Sequence, residues 1–173
     1  TFTKNTKRKE FYLFSDPIST VKDVFYKIKH RNITWDTFDN LKNYSVGYSQ
    51  GYNYDPVFLE AIKMKKFIAK AFVPLGTAEL THLKRLILGR TDLIICEVSL
   101  CQYLIKTNTP EFHNVDFINN PIGKVRTFHI GFSKKWKGVV PLVKQFNMEL
   151  TKFVAEGKRK QIFKKYGIIS DLE

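Results

Sequence analysis

The run Asp92-Leu93-Ile94-Ile95-Cys96 constrains this chain more than any other feature. A continuous apolar segment of this length, with no polar alternation, is the mark of a strand buried on both faces. Such a strand needs a layer of helices on each side, and the flanking sequence supplies them. Upstream, Tyr44–Tyr48 reads as a short strand, followed by the turn Ser49-Gln50-Gly51. A helix then opens with Asp55 as N-cap and Pro56 in the first turn, and its apolar positions Val57, Ala61, Ile62 and Met64 keep roughly helical spacing. A second strand is predicted over Phe67–Val73. Thr77 is expected to cap a helix with Leu80, Leu83, Leu86 and Ile87 on one face, closed by Gly89. After the buried run, Val98–Ile105 reads as a third helix. Strand–helix alternation of this kind defines an α/β layer with a mostly parallel sheet.

The C-terminal third adds a strand over Thr127–Phe132 and two helices. Val139–Glu156 places Leu142, Val143, Phe146, Leu150, Phe153 and Val154 on one stripe before Gly157, and a short helix through Ile162, Phe163 and Tyr166 stops at Gly167. No apolar run approaches the roughly 20 residues that a spanning helix needs. The chain opens on Thr1 with no initiator Met and no signal peptide, which reads as a start inside a longer gene product.

Net charge is +13, from 29 Lys+Arg against 16 Asp+Glu. An excess of that size first suggests an anionic partner such as nucleic acid. Its placement argues otherwise. Residues 1–31 carry eight basic and three acidic side chains, residues 32–123 nine of each, and residues 124–173 twelve and four. The two ends therefore hold all the excess and read as one body, with the neutral middle as another. The basic run Lys158, Arg159, Lys160, Lys164 and Lys165 opposes a core-spaced aromatic stripe rather than interleaving with it, as a stacking groove would require, so it reads as a solvated face.

Cys96 and Cys101 lie five apart with no second pair, which leaves no zinc site and no disulfide framework; two buried free thiols are favoured over a bridge. His30, His82, His113 and His129 are scattered without ligand spacing, and no nucleophile triad or phosphate loop stands out. Neither a metal nor a cofactor is expected.

Four segments, taken in order, carry a resemblance: Arg8 with Phe14-Ser15-Asp16-Pro17; Leu41-Lys42 through Gly47 and Gly51; Gly89-Arg90-Thr91-Asp92; and Phe132-Ser133-Lys134-Lys135 with Lys165-Tyr166-Gly167. Together they resemble the family 3, amino-acid-type extracellular solute-binding proteins of bacterial ABC importers, from about residue 1 to 168. The resemblance implies a periplasmic-binding-protein-like α/β fold of two hinged lobes. Residues 1–28 would be part of lobe 1 and the first crossover, 29–125 lobe 2, and 126–173 the second crossover and the return to lobe 1. The crossovers are expected near Val24–Lys29 and Arg126–Gly131. The family's first strands of lobe 1 have no counterpart here, so lobe 1 is expected to be partial, completed by a longer product or by another chain that supplies the strands.

The resemblance also implies a site. A free amino acid presents a carboxylate and an ammonium, and a forked cation, neutral donors and an acid can hold both. Arg8 matches the family's carboxylate-binding arginine, whose guanidinium offers two parallel N–H bonds that Lys7 or Lys9 could not imitate. Thr3 matches a small polar position that supplies a donor. Gly51, Tyr52 and Asn53 fall at the turn whose backbone N–H groups and neighbouring donor hold the ligand at the positive end of a helix; read alone, Asn53 is equally a simple turn residue. Asp55 beside it would repel a ligand carboxylate. Glu97 matches the family's ammonium-binding acid, one methylene longer, and read alone it is a helix-start acid. The implied function is a periplasmic receptor that binds an amino acid or similar small polar molecule and delivers it to the membrane subunits of an importer, without chemistry of its own. The alternatives are a sensing module of a larger receptor, or an enzyme such as a dehydratase on the same fold.

Overall fold

The structure, a computed structural model, describes residues 2–73, 76–168 and 170. Residue 1 and residues 171–173, which end the expected outer segments, lie outside the described residues. In chain order the elements begin with β1 (Phe2–Thr3), α1 (Thr6–Phe11), β2 (Tyr12–Phe14) and β3 (Ser19–Val21). They continue with β4 (Asp23–Ile28), β5 (Ser45–Ser49), α2 (Pro56–Lys63), β6 (Ile68–Phe72), α3 (Ala78–Ile87), β7 (Leu93–Glu97), α4 (Val98–Thr107) and β8 (Val115–Phe117). The last are β9 (Arg126–His129), β10 (Gly131–Ser133), α5 (Val139–Ala155) and α6 (Lys158–Tyr166). The chain divides into two units. A continuous unit spans Lys22–Lys124, and a split unit combines Thr1–Val21 with Val125–Glu173.

The continuous unit is built on a five-stranded sheet in the order β6-β5-β7-β4-β8. β5 runs parallel to both β6 and β7, whereas β4 runs antiparallel to β7 and to β8. The sheet is therefore mixed rather than mostly parallel. The reason is β4, a segment expected to be a crossover. Val24, Phe25 and Tyr26 are all wholly buried, which makes it an inner strand inserted against the grain of its neighbours. Both expected crossover segments are strands within a unit, and the chain changes unit at Val21–Lys22 and Lys124–Val125.

β7 behaves as its apolar run requires. Leu93 and Ile95 pack with Phe25, Val46, Phe58 and Trp35 beneath α2; Ile94 and Cys96 pack with Tyr26, Leu83, Leu86 and Val98 beneath α3 and α4. Each such side chain contributes about 1.5–3 kcal/mol on leaving water. Asp55 caps α2 as expected, accepting from the Val57 N–H at 3.0 Å. Thr77 stands at the start of α3, but its side chain makes no capping bond. Asp92, just before β7, holds the start of β5. Its carboxylate accepts from the Ser45 N–H at 2.7 Å and the Ser45 hydroxyl at 2.6 Å, and it pairs with Arg31. Burial opposes its charge, but these bonds prevail and hold the carboxyl below the usual range.

Cys96 and Cys101 form a disulfide, which overturns the expectation of free thiols. Cys96 lies near the end of β7, and Cys101 on the inner face of the first turns of α4. The fold brings their Cα atoms to 6.3 Å, within bridging range.

In the split unit, β9 lies between β1 and β3 in a three-stranded antiparallel sheet, and β10 pairs with β2. The single strand expected over Thr127–Phe132 is thus two strands in two sheets, separated at Ile130. Ser15 holds that break: its hydroxyl accepts from the Ile130 N–H at 2.9 Å, and its own N–H donates to the Ile130 carbonyl at 3.0 Å. α5 keeps its apolar stripe, yet Val139 is its one buried residue. Phe146 meets Phe132 edge-on at 5.5 Å while Leu142, Leu150 and Phe153 remain half-exposed. The split unit carries fifteen basic and six acidic side chains, and the continuous unit fourteen and ten.

Candidate functional site

The topology of the continuous unit marks one edge as the place for a ligand. β5 and β7 are parallel neighbours in register at Gly47 and Ile94, and they end at Ser49 and Glu97. From there α2 and α4 depart over opposite faces of the sheet. Where two adjacent parallel strands send their chains to opposite sides, a crevice opens beyond their carboxyl ends, and open α/β sheets bind ligands there. Gly51, Tyr52 and Asn53 follow β5, and Glu97 ends β7. Four of the six expected site residues therefore belong to this edge.

The turn 50–53 has a definite geometry. Gly51 adopts φ +81, a left-handed conformation that favours glycine, and a Cβ there would meet nothing within 4 Å. Tyr52 is 41% exposed, its ring 6.0 Å from that of Tyr54. Partial burial, and then the Glu79 carboxylate that it hydrogen-bonds, raise its phenol above the usual range. Asn53 is exposed at the end of the turn. Asp55, expected to repel a carboxylate, is engaged elsewhere: it is buried, and its Oδ2 accepts from the Lys124 N–H at 3.0 Å. Gly123 makes that contact possible, since a Cβ on its left-handed backbone would lie 2.1 Å from the Asp55 Cγ.

Glu97 is the N-cap of α4. Its Oε1 accepts from the Ser99 N–H at 3.1 Å, and its Oε2 from the Leu100 N–H at 2.8 Å. Burial raises its carboxyl above the usual range, the two helix N–H groups draw it back, and Asp23 adds a further upward push. Asp23 lies directly opposite Glu97 in the β4–β7 register and is only 8% exposed. The sequence reading gave Asp23 no role, because only the β4–β7 pairing brings it beside Glu97.

Thr3 and Arg8 meet in the split unit. Asn5 caps α1 through the Arg8 N–H at 2.8 Å, and the Arg8 Nη1 then donates to the Thr3 carbonyl at 2.8 Å and to the Thr3 hydroxyl at 3.3 Å. Thr3 is buried at the end of β1.

Beneath the turn lies a set of buried polar groups that sequence reasoning also missed. The Ser49 N–H donates to the Tyr54 hydroxyl at 2.9 Å, and the Ser49 Oγ lies 3.0 Å from the His82 Nε2. Their sequence signal was Gly47. A glycine inside a strand marks a close approach, and a Cβ there would come within 3.3 Å of the His82 Nδ1 and 3.2 Å of the Thr91 Cγ2.

No protein-family model and no curated protein sequence matches the chain. Solved structures do. A mutant of ArgBP from T. maritima aligns at TM-score 0.72 and 18% identity, covering 95% of this chain and 66% of that one. An arginine 3rd transport system periplasmic binding protein from Legionella pneumophila aligns at 0.70 and 16% identity, covering 95% and 69%. The ancestral amino-acid-binding protein AncCDT-1, described as a precursor of cyclohexadienyl dehydratase, aligns at 0.69 and 19%, covering 95% and 65%. The chain thus has the α/β fold of amino-acid-type, two-lobed periplasmic binding proteins, and it spans about two thirds of the length of these structures. Among the described residues, no helix is long and apolar enough to cross a membrane.

Proposed function

We propose that this chain is the ligand-binding part of a solute receptor for an ABC importer, exported to the periplasm, that closes two hinged lobes around an amino acid or a similar zwitterion. The continuous unit corresponds to lobe 2, and the split unit to part of lobe 1. The observation that carries this reading is the meeting of the Gly51–Asn53 turn and Glu97 at the ends of neighbouring strands, on a fold shared with amino-acid-binding proteins.

In this reading the Arg8 guanidinium forks onto the ligand carboxylate, with Thr3 orienting the arginine through the bonds it already makes. The backbone N–H groups of Gly51–Asn53 add neutral donors. Glu97 and the neighbouring Asp23 offer negative charge to the ammonium. Closure removes water, so every ligand charge must meet a partner. Binding then favours the closed state, which the importer's membrane subunits read.

The test is a titration of the full-length gene product with each of the twenty amino acids, repeated for Arg8→Lys. Binding of at least one amino acid is expected, weakened about tenfold or more by Arg8→Lys, against little change for Lys7→Ala or Lys9→Ala. Unchanged affinity for every amino acid in Arg8→Lys would sink the assignment of Arg8. The 173 residues alone should bind weakly or not at all, because they span only part of the length of their structural neighbours.

A dehydratase reading draws on the likeness to AncCDT-1. Glu97 is the acid it would use, since burial holds its carboxyl above the usual range. Ligand recovered chemically unchanged after prolonged incubation separates the receptor from the enzyme.

A further inference from the structure

We propose that His82, Ser49 and Tyr54 form a clamp that sets the position of the Gly51–Asn53 turn, with His82 acting as a positioning residue for ligand binding from the far side of the sheet. This deepens the receptor reading and rests on its assignment of the turn as part of the ligand site.

The chain of contacts is short and buried throughout. His82 and Ser49 are each 2% exposed, and Tyr54 is 8%. Ser49 is the last residue of β5, so it is the root from which the turn departs. Two different atoms of Ser49 are held from two different layers. Its N–H donates to the Tyr54 hydroxyl, from the α2 side of the sheet, and its Oγ bonds to His82, from the α3 side. The Tyr54 ring is fixed edge-on to Phe58 at 5.2 Å and to Tyr48 at 6.3 Å. The His82 ring stands edge-on to Phe72 at 5.7 Å. Phe72 in turn accepts the Gln50 N–H through its carbonyl at 2.8 Å. Ser49 and Gln50 are therefore tied to α3 through His82, to β6 through Phe72 and to the buried Tyr54 that follows the turn, on either side of its exposed residues.

The arrangement also explains Gly47. Positions 47 and 49 lie on the same face of β5, toward α3, and the His82 ring borders both: its Nδ1 lies where a Cβ on Gly47 would point, and its Nε2 meets the Ser49 Oγ. The missing side chain at Gly47 is what admits the ring. The His82 Nδ1 has no hydrogen-bond partner, nor has the Thr91 Oγ1 beside Gly47. A buried donor or acceptor left unsatisfied is costly. A neutral histidine kept here at that cost, where an apolar residue would fill the space, points to a role for the Nε2 bond to Ser49. Burial, reinforced by Arg85, pushes the ring down to about 4 and so keeps it neutral. His82 is buried and bonds to Ser49 at the root of the turn, so it acts through Ser49.

The experiment compares Ser49→Ala, Tyr54→Phe, His82→Ala and His82→Gln, the last because a Gln amide can replace the Nε2 bond. The first readout is amide chemical shift and hydrogen exchange in the full-length protein without ligand. In His82→Ala the amides of residues 49–53 should shift, and Ser49 and Gln50 should exchange at least tenfold faster, with β4 and β8 unchanged. His82→Gln should restore the native pattern. Turn amides that keep their shifts and rates in His82→Ala, or acceleration spread evenly over the continuous unit, would overturn the clamp. The second readout is titration with L-arginine and the other standard amino acids. Tyr54→Phe and His82→Ala should each weaken binding about tenfold, and His82→Gln by less than threefold. Equal affinity in all four variants would overturn the positioning role. If the unsubstituted protein binds none of them, the receptor reading fails by itself, and the amide data still decide whether the clamp exists.

Discussion

Gly123 and Gly51 both sit at positive φ, yet they should answer substitution very differently. At Gly51 a methyl group meets open space, so Gly51→Ala should cost only the backbone penalty of about 1–2 kcal/mol. At Gly123 the methyl would enter the Asp55 carboxylate, breaking the bond that ties Lys124 to the start of α2. Gly123→Ala should therefore cost roughly 3 kcal/mol or more, and urea unfolding of the two variants side by side measures the difference. His82 gives a prediction in pH. Its folded pKa of about 4 lies below the unfolded value near 6.5, so the unfolded chain binds the extra proton between those limits. Stability from this group is full above pH 6.5 and is lost as pH falls toward 4, by about 3 kcal/mol in all. His82→Gln should flatten that part of the stability–pH curve. A slope unchanged by the substitution would show that other groups carry it.

At the scale of elements, the junction between β7 and α4 concentrates several constraints. The Cys96–Cys101 disulfide closes a short loop around it, and Glu97 inside that loop caps the helix through two N–H groups. Loop-closure entropy for so small a ring gives about 2 kcal/mol. Cys101→Ser should lower stability by about that amount, and a reducing agent should reproduce the loss in the unsubstituted protein but add nothing to the variant. β4 shows the converse of β7. Both are buried on two faces, but Asp23 and Lys27 interrupt the β4 pattern, and β4 joins the sheet antiparallel to both of its neighbours.

Across the whole molecule the core is unevenly shared. Among the described residues, Val21 and Val139 are the only buried apolar residues of the split unit; the rest belong to the continuous unit. Hydrogen-exchange protection should accordingly be highest in β4, β5 and β7 and low in α5 and α6. Phe58→Ala, at a wholly buried position, should cost about 3–5 kcal/mol, and Phe146→Ala on the half-exposed α5 stripe less than about 2 kcal/mol. Equal losses would mean that α5 is packed as tightly as α2. The uneven charge has the same division, since the split unit holds most of the basic excess.

Local patterns settled much of this protein in advance. The apolar run of β7, the Asp55–Pro56 opening of α2, the glycine stops at Gly89, Gly157 and Gly167, and the α5 stripe are all legible because each depends on neighbours within a few residues. The α/β class followed from their alternation. The direction of β4, the split of the strand at Ile130, the Cys96–Cys101 bridge and the Ser49–His82 contact were not legible in that way. Each depends on how elements meet, whether from distant segments or, for Cys96 and Cys101, across one strand–helix junction, so that a strand's partner and a side chain's neighbour follow from packing rather than from spacing. The site divides along the same line. Gly51 was legible as a turn and Glu97 as a helix-start acid, their ligand roles being implied only by the resemblance, whereas Asp23 beside Glu97 and His82 beneath the turn came into place only when the sheet set β4 against β7 and α3 against β5.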